Sequence, residues 1–300
     1  MIYLECGVHH AQKLAFFNCN DETGRQIATF LVDFNTDEKH TFANAPDESE
    51  IHDISPCGTQ VLTIDRTYEK RKRKTKIFDL KTKELRFETT AFFGYEAWFS
   101  SVANLLLVRA DVKGKSGDKL FVFDTQKSEI VHFMQGNHPL TYGGEDAEKS
   151  VFSYPNSRKK DEIILLDLTT LQEKIINLGS KKLIHRVMPL GGDEFFAIDG
   201  DYFGFKFNGK GEILWKTAKI DWEEFYYAPV FFIFENQVVF ERNIGERIDL
   251  TTGEFIHSDR PLTGTLRPFF DNWAINNQGE MCHLQTGEIK NLDIKKYVMM

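Results

Sequence analysis

Residues 51–88 read IHDISPCGTQVLTIDRTYEKRKRKTKIFDLKTKELRFE, and this stretch decides the fold. Ile51–Ile54 reads as a strand. Ser55-Pro56-Cys57-Gly58 is a turn, because Pro presets φ at one position and Gly accepts positive φ at another. Gln60–Asp65 alternates as a second strand. Lys76–Leu80 is a third, Lys81–Lys83 turns, and Glu84–Glu88 is a fourth. The unit is a four-stranded antiparallel meander.

Part of this unit recurs along the chain. An apolar residue, a polar or acidic one, a short Thr/Lys/Gly/Asn turn and a second apolar stretch return seven times. They lie at Phe17–Ile27, Phe78–Leu85, Phe123–Ile130, Leu166–Ile175, Phe205–Ile213, Ile248–Phe255 and Cys282–Ile289. The equivalent polar positions are Asn18, Asp79, Asp124, Asp167, Lys206, Asp249 and His283. Their separations are 61, 45, 43, 39, 43 and 34 residues. The mean, about 44, fits one four-stranded propeller blade. The expected fold is all-β: a seven-bladed β-propeller of four-stranded antiparallel blades, one domain over residues 1–300. The irregular outer spacings keep six blades as the alternative count.

Blade one yields only three strands, Ile2–Cys6, Leu14–Asn18 and Arg25–Leu31, before a connection over 33–50. The tail Asp293–Met300 is left over after blade seven. The expectation is that Lys296–Met299 pairs with the N-terminal strand, so that N- and C-terminal strands close the ring and protect its edges. Lys219–Tyr227 reads as one helical turn.

Composition agrees with stacked sheets. There are 27 Phe residues, several in pairs: Phe92-Phe93, Phe195-Phe196, Phe231-Phe232 and Phe269-Phe270. Adjacent strand residues point to opposite faces, so a Phe pair suits a strand packed on both sides. Cys6, Cys19, Cys57 and Cys282 form no C-x-x-C pair, which argues against a zinc ribbon and fits a reducing compartment. The N-terminus lacks a basic-then-apolar leader. The longest apolar run, Tyr226–Phe234, is too short to cross a bilayer. The chain reads as a cytoplasmic, soluble protein with no membrane association, and a monomer is favoured.

Ile54-Ser55-Pro56-Cys57-Gly58-Thr59-Gln60-Val61-Leu62 resembles the first-to-second-strand turn of WD-repeat propellers, where Ser-Pro-Asp-Gly is usual. Lys76-Ile77-Phe78-Asp79-Leu80 resembles the strand that carries their Trp-Asp pair. Phe203–Trp215, FGFKFNGKGEILW, is similar to a quinoprotein-type propeller repeat. No Gly-His dipeptide precedes the strands, and Phe78, Phe123, Leu166 and Ile248 take the Trp position. The resemblance implies the architecture and carries over no functional residue.

The strongest charge feature is the run Lys70, Arg71, Lys72, Arg73, Lys74, on the hairpin between the second and third strands of blade two. The equivalent tip of blade three holds Arg109, Lys113, Lys115 and Lys119. That of blade four holds Arg158, Lys159 and Lys160. Net charge is +5 over residues 69–76, +2 over 109–119 and +1 over 154–162. The whole chain is −8, so the remainder carries −16. In a propeller these loops share one face. The candidate partner-binding residues are therefore Lys70, Arg71, Lys72, Arg73, Lys74, Lys113, Lys115, Arg158, Lys159 and Lys160. They face an anionic partner, and the competing reading is solvated hairpin tips.

The expected function is a non-catalytic platform that binds a protein partner. One alternative is a metal-dependent hydrolase or lyase with a central-channel site, using Tyr142-Gly143-Gly144-Glu145-Asp146 or Asp221-Trp222-Glu223-Glu224. Another is nucleic-acid binding through the basic loops, discounted by overall acidity and by few aromatics there beyond Tyr68 and Tyr154. Gly114-Lys115-Ser116 ends like a phosphate-binding loop, but Arg109 stands where that motif needs Gly. His9-His10 lacks metal-ligand spacing, and no G-x-S-x-G elbow is present. No cofactor, catalytic residue or metal ligand is assigned.

Overall fold

Third strands end on residues that close the following turn with their own side chains. Asp79 Oδ1 accepts from the backbone N–H groups of Lys81 and Thr82, at 3.0 and 2.9 Å. Asp124, Asp167 and Asp249 do the same with the second and third residues after them. Asp33 and Asn208 cap theirs in blades one and five, and in blade seven His283 Nδ1 accepts from Thr286. Such side-chain acceptors mimic a backbone turn. The Thr82 N–H and the Arg86 guanidinium hold the Asp79 carboxyl at about 2, so the acceptor stays ionised.

These contacts correct the repeat register. The equivalents in blades one and five are Asp33 and Asn208, not Asn18 and Lys206. Asn18 lies in a second strand, and Lys206 lies mid-strand opposite Trp215. The separations then run 46, 45, 43, 41, 41 and 34 residues, and the 61-residue outlier disappears.

The computed structural model describes residues 2–42, 49–65, 73–136, 138–220, 230–240, 243–257 and 266–298. They form seven four-stranded antiparallel sheets, each built from consecutive strands. Blade one is Tyr3–His9, Leu14–Asn20, Gln26–Asp33 and Glu38–His40. Blade two is Ser49–Ile54, Gln60–Asp65, Thr75–Asp79 and Leu85–Thr89. Blade three is Phe92–Phe99, Leu105–Val112, Asp118–Asp124 and Glu129–Phe133. Blade four is Gly144–Asp146, Val151–Pro155, Glu162–Asp167 and Glu173–Asn177. Blade five is Ile184–Gly191, Glu194–Asp199, Phe203–Asn208 and Ile213–Lys219. Blade six is Phe231–Phe234, Gln237–Phe240, Asn243–Asp249 and Phe255–His257. Blade seven is Leu266–Pro268, Trp273–Asn276, Glu280–His283 and Ile289–Asn291. This is the strand plan of a seven-bladed β-propeller, and the count is seven rather than six.

The fourth strand of blade one is Glu38–His40, paired as Asp33↔Glu38, Val32↔Lys39 and Leu31↔His40. It sits inside the stretch expected to be a connection, because Glu-Lys-His has no apolar alternation to announce a strand. Among the described residues the tail therefore supplies no strand. Residues Ile294–Val298 form a short α-helix instead. The expected helical turn at Lys219–Tyr227 falls mostly outside the described residues; Lys219 itself ends a strand.

Contacts divide the chain into two units. The first, residues 1–99, 110–115 and 260–300, holds blades one, two and seven. Here blade one is buried on both faces. Ala15, Phe17, Cys19, Phe30 and Val32 pack with Phe269, Trp273 and Ile275 of blade seven. Leu14, Phe16 and Leu31, from the opposite face, pack with Ile51, Ile54 and Val61 of blade two. Leu4 N donates to Asn277 O at 2.8 Å, and Asn18 Nδ2 donates to Ile51 O at 2.8 Å. The helix joins this core. Tyr297 is buried against Phe30, its hydroxyl and Lys296 both reach Asp37, and Lys39 Nζ donates to Tyr297 O.

The second unit, residues 100–109 and 116–259, holds blades four, five and six with most of blade three. Phe195 packs with Ile163 and Leu165 of blade four. Its neighbour Phe196 packs with Phe231, Val238 and Phe240 of blade six. A buried Phe contributes about 1.5–3 kcal/mol over an exposed one.

Because the helix is held through Tyr297, replacing Tyr297 with Ala should cost about 3 kcal/mol, as for other large core truncations. Urea unfolding of wild type and variant measures this, and an unchanged midpoint would show that the helix holds nothing.

Candidate interaction surface

Arg73, Lys74, Lys113, Lys115, Arg158, Lys159 and Lys160 lie between second and third strands of their blades. Lys70, Arg71 and Lys72 lie outside the described residues. In the first unit, the Arg73 guanidinium sits 5.6 Å from the centroid of the Tyr95 ring. The Tyr95 hydroxyl donates to Asp111 Oδ2, two residues before Lys113. The blade-two tip is thereby tied to the base of the blade-three tip, where Lys113 and Lys115 are exposed. Lys74 Nζ pairs with Glu88 at 2.7 Å, and that hydrogen bond raises the lysine above its ordinary range.

In the second unit, loop 156–161 is tightly built. Asn156 Oδ1 accepts from Arg158 N at 3.0 Å, and Asn156 Nδ2 donates to Glu162 Oε2 at 2.9 Å. Lys159 Nζ pairs with Glu162 Oε1 at 2.8 Å, which raises Lys159. Lys74 and Lys159 are thus partly neutralised by their own fold, while Arg158 and Lys160 stay exposed.

The sequence reading missed the residues beside this loop. Leu178 N donates to Asp161 O and Ile184 N to Lys160 O, both at 2.9 Å. These bonds bring the blade-four-to-five connection, with Lys181, Lys182 and Leu183, alongside 156–161. Lys182 pairs with Asp201 at 3.0 Å. Among the described residues Arg158, Lys160 and Lys181 form no ion pair. Leu183 is 37 % exposed. Lys181-Lys182 was the only sequence signal, and two lysines in a connection look like any solvated turn.

A polar network anchors the same region. The Tyr154 hydroxyl donates to Glu173 Oε1 at 2.7 Å, His132 Nε2 lies 3.0 Å from that oxygen, and Gln135 Nε2 donates to Oε2 at 2.9 Å. Burial pushes Glu173 up, but hydrogen bonds from Tyr154, Gln135 and His132 outweigh it and leave the carboxyl below its ordinary range. Gly136 lies against Ser157, where a Cβ would stand 2.2 Å from Ser157 Oγ. The network therefore braces loop 156–161 from the blade-three side.

Other motifs have structural roles. Glu145 Oε1 accepts from Ser101 N at 2.8 Å and Ser100 Oγ at 3.3 Å, and Asp146 Oδ1 accepts from Lys149 N. His9 uses both ring nitrogens, on Gln12 N and Pro56 O. Gly114-Lys115-Ser116 forms a hairpin tip between two strands. Asp221-Trp222-Glu223-Glu224 lies outside the described residues. Among the described residues, no group of three or more His, Cys, Asp or Glu is placed to hold a metal ion, and no helix is long and apolar enough to cross a membrane.

Solved structures share this architecture. The uncharacterised protein lmo1340 from Listeria monocytogenes EGD-e superposes with TM-score 0.66 at 12 % identity, over 97 % of this chain and 94 % of that one. The RRP9 WD40 repeats superpose with TM-score 0.58 at 9 % identity, over 94 % and 86 %. The shared fold is the β-propeller. U3-55K aligns similarly, with TM-score 0.57 at 8 % identity over 94 % and 88 %. No protein-family model matches the chain, and no curated protein matches it in sequence. At these identities the likeness speaks for the propeller and for nothing it binds.

Glu173→Gln should destabilise the propeller by about 1–2 kcal/mol at neutral pH, the scale of hydrogen bonds to a charged group. A lowered folded pKa stabilises above the titration of an unfolded Glu, about pH 4.3. That contribution is lost as pH falls through the lower folded value. Denaturation across this acid range should show a steeper loss in wild type than in Glu173→Gln. Parallel profiles would mean that the carboxylate does not stabilise the fold.

Proposed function

We propose that this chain is a non-catalytic, single-domain propeller that binds a protein partner through its basic loops. The observation that carries this reading is the braced loop 156–161. It presents Arg158 and Lys160 without ion pairs beside Lys181, on a chain of net charge −8. A local reversal of sign in a fixed geometry selects an anionic face on another molecule and speeds its approach. A rigid loop also loses little entropy on binding. The tips carrying Lys70, Arg71, Lys72, Arg73 and Lys74 and carrying Lys113 and Lys115 extend the same chemistry in the first unit. Lys74 and Lys159, tied to Glu88 and Glu162, contribute less. The reading places the protein in the cytoplasm as a soluble monomer.

The test is affinity capture from a lysate of the native host, with wild type and with Arg158→Ser/Lys160→Ser/Lys181→Ser. Exposed ion pairs contribute about 0–1 kcal/mol each. Losing three should weaken the captured partner by about tenfold, the equivalent of about 1.4 kcal/mol. The wild-type complex should also weaken as salt rises. Equal capture by both proteins at all salts would remove these loops from the binding surface. Recovery of nucleic acid in place of protein would favour the nucleic-acid reading.

A further inference from the structure

We infer that the surface formed by residues 156–161 and 178–184 takes an extended acidic peptide segment carrying one aliphatic or aromatic side chain, which seats on Leu183. This rests on the protein-binding reading above and names the chemistry of the partner.

The charge side of the argument comes from what is left over after internal pairing. Lys159 is held by Glu162 and Lys182 by Asp201. Arg158, Lys160 and Lys181 remain exposed and without ion pairs among the described residues. Their partner supplies carboxylates.

The apolar side comes from Leu183. Ile184 N is fixed to Lys160 O at 2.9 Å, and Leu183 O accepts from Gly200 N at 2.8 Å. The backbone on both sides of Leu183 is therefore pinned. Ile184 is buried in the interface between blades four and five. Leu183 lies just before that strand and stands 37 % exposed, while Ile184, which opens it, is buried. An apolar group held out between lysines favours a ligand with both kinds of side chain.

A nucleic-acid strand fits this surface less well. Single-strand binding uses exposed aromatic faces on which bases stack. The neighbouring rings are occupied: Tyr154 is fully buried, and Tyr202 is stacked with His185 at 6.3 Å.

The test uses fluorescein-labelled decapeptides of Asp and Glu with a central Leu, the same peptide with Ser for Leu, and a ten-nucleotide deoxythymidine strand. Fluorescence anisotropy is read at low and high salt for wild type, Leu183→Ser and Lys160→Ser/Lys181→Ser. The Leu peptide should bind wild type about fivefold tighter than the Ser peptide, the scale of partly burying one apolar side chain. Leu183→Ser should abolish that difference. Lys160→Ser/Lys181→Ser should weaken both peptides and flatten their salt dependence. Equal binding of the two peptides to wild type, or tighter binding of the oligonucleotide, would overturn the inference. So would no binding of either peptide. If peptides fail while lysate capture still depends on Arg158, Lys160 and Lys181, the peptide chemistry is wrong and the protein-binding reading stands. If capture is also independent of them, both fall.

Discussion

A four-stranded blade has two apolar faces and can bury neither by itself. Everything else in this chain follows from that constraint. Phe195 and Phe196 are neighbours in one strand, yet one belongs to the core against blade four and the other to the core against blade six. Phe16 and Phe17 divide in the same way between blades two and seven. With two filled faces, a one-residue slip would put every side chain into the wrong core. The side-chain acceptors at Asp33, Asp79, Asp124, Asp167, Asn208, Asp249 and His283 oppose that slip. Each fixes the turn from which the fourth strand starts.

The repeat is most informative where it breaks. The residue that opens or nearly opens each fourth strand pairs with the one just before the turn acceptor. It is apolar in five blades: Leu85, Ile130, Ile213, Phe255 and Ile289. In blade one it is Lys39, and in blade four Glu173. Both exceptions reach out of their own sheet. Lys39 bonds the carbonyl of Tyr297, and Glu173 gathers Tyr154, His132 and Gln135. A charged residue at an otherwise apolar repeat position here marks a brace between elements.

The sequence made much of this legible. Alternation, turn chemistry and a period near 44 gave the sheets and their number, and paired Phe residues gave the double burial. Two misplacements have different local causes. Phe17-Asn18 matches the apolar–polar grammar of a third strand but belongs to a second, because the local pattern is the same and only the turn partner differs. Glu38–His40 carries no apolar signature, so a genuine strand read as loop and the tail was assigned its place. The basic tips were visible as charge runs. Which of their cations stay available was not visible, because that depends on Glu88, Glu162 and Asp201 arriving from other strands. Leu183 was hidden for a similar reason: the bonds that fix the backbone around it join residues 17 and 24 positions apart.

The helix at 294–298 bears on the order in which the molecule is made. Had residues 294–298 supplied a strand, the first sheet would stay incomplete until they were translated. Instead the sheet of blade one is finished at His40, and each later sheet is drawn from one contiguous segment. Chains leave the ribosome at about 5–20 residues per second and fold from the N-terminus onward. The hairpin contacts within each sheet are local and form early relative to long-range pairing. Blade one can thus emerge with its backbone hydrogen bonds already made. What residues 294–298 add on emerging is docking of side chains, Tyr297 onto Phe30 and Lys296 onto Asp37, onto a sheet already paired.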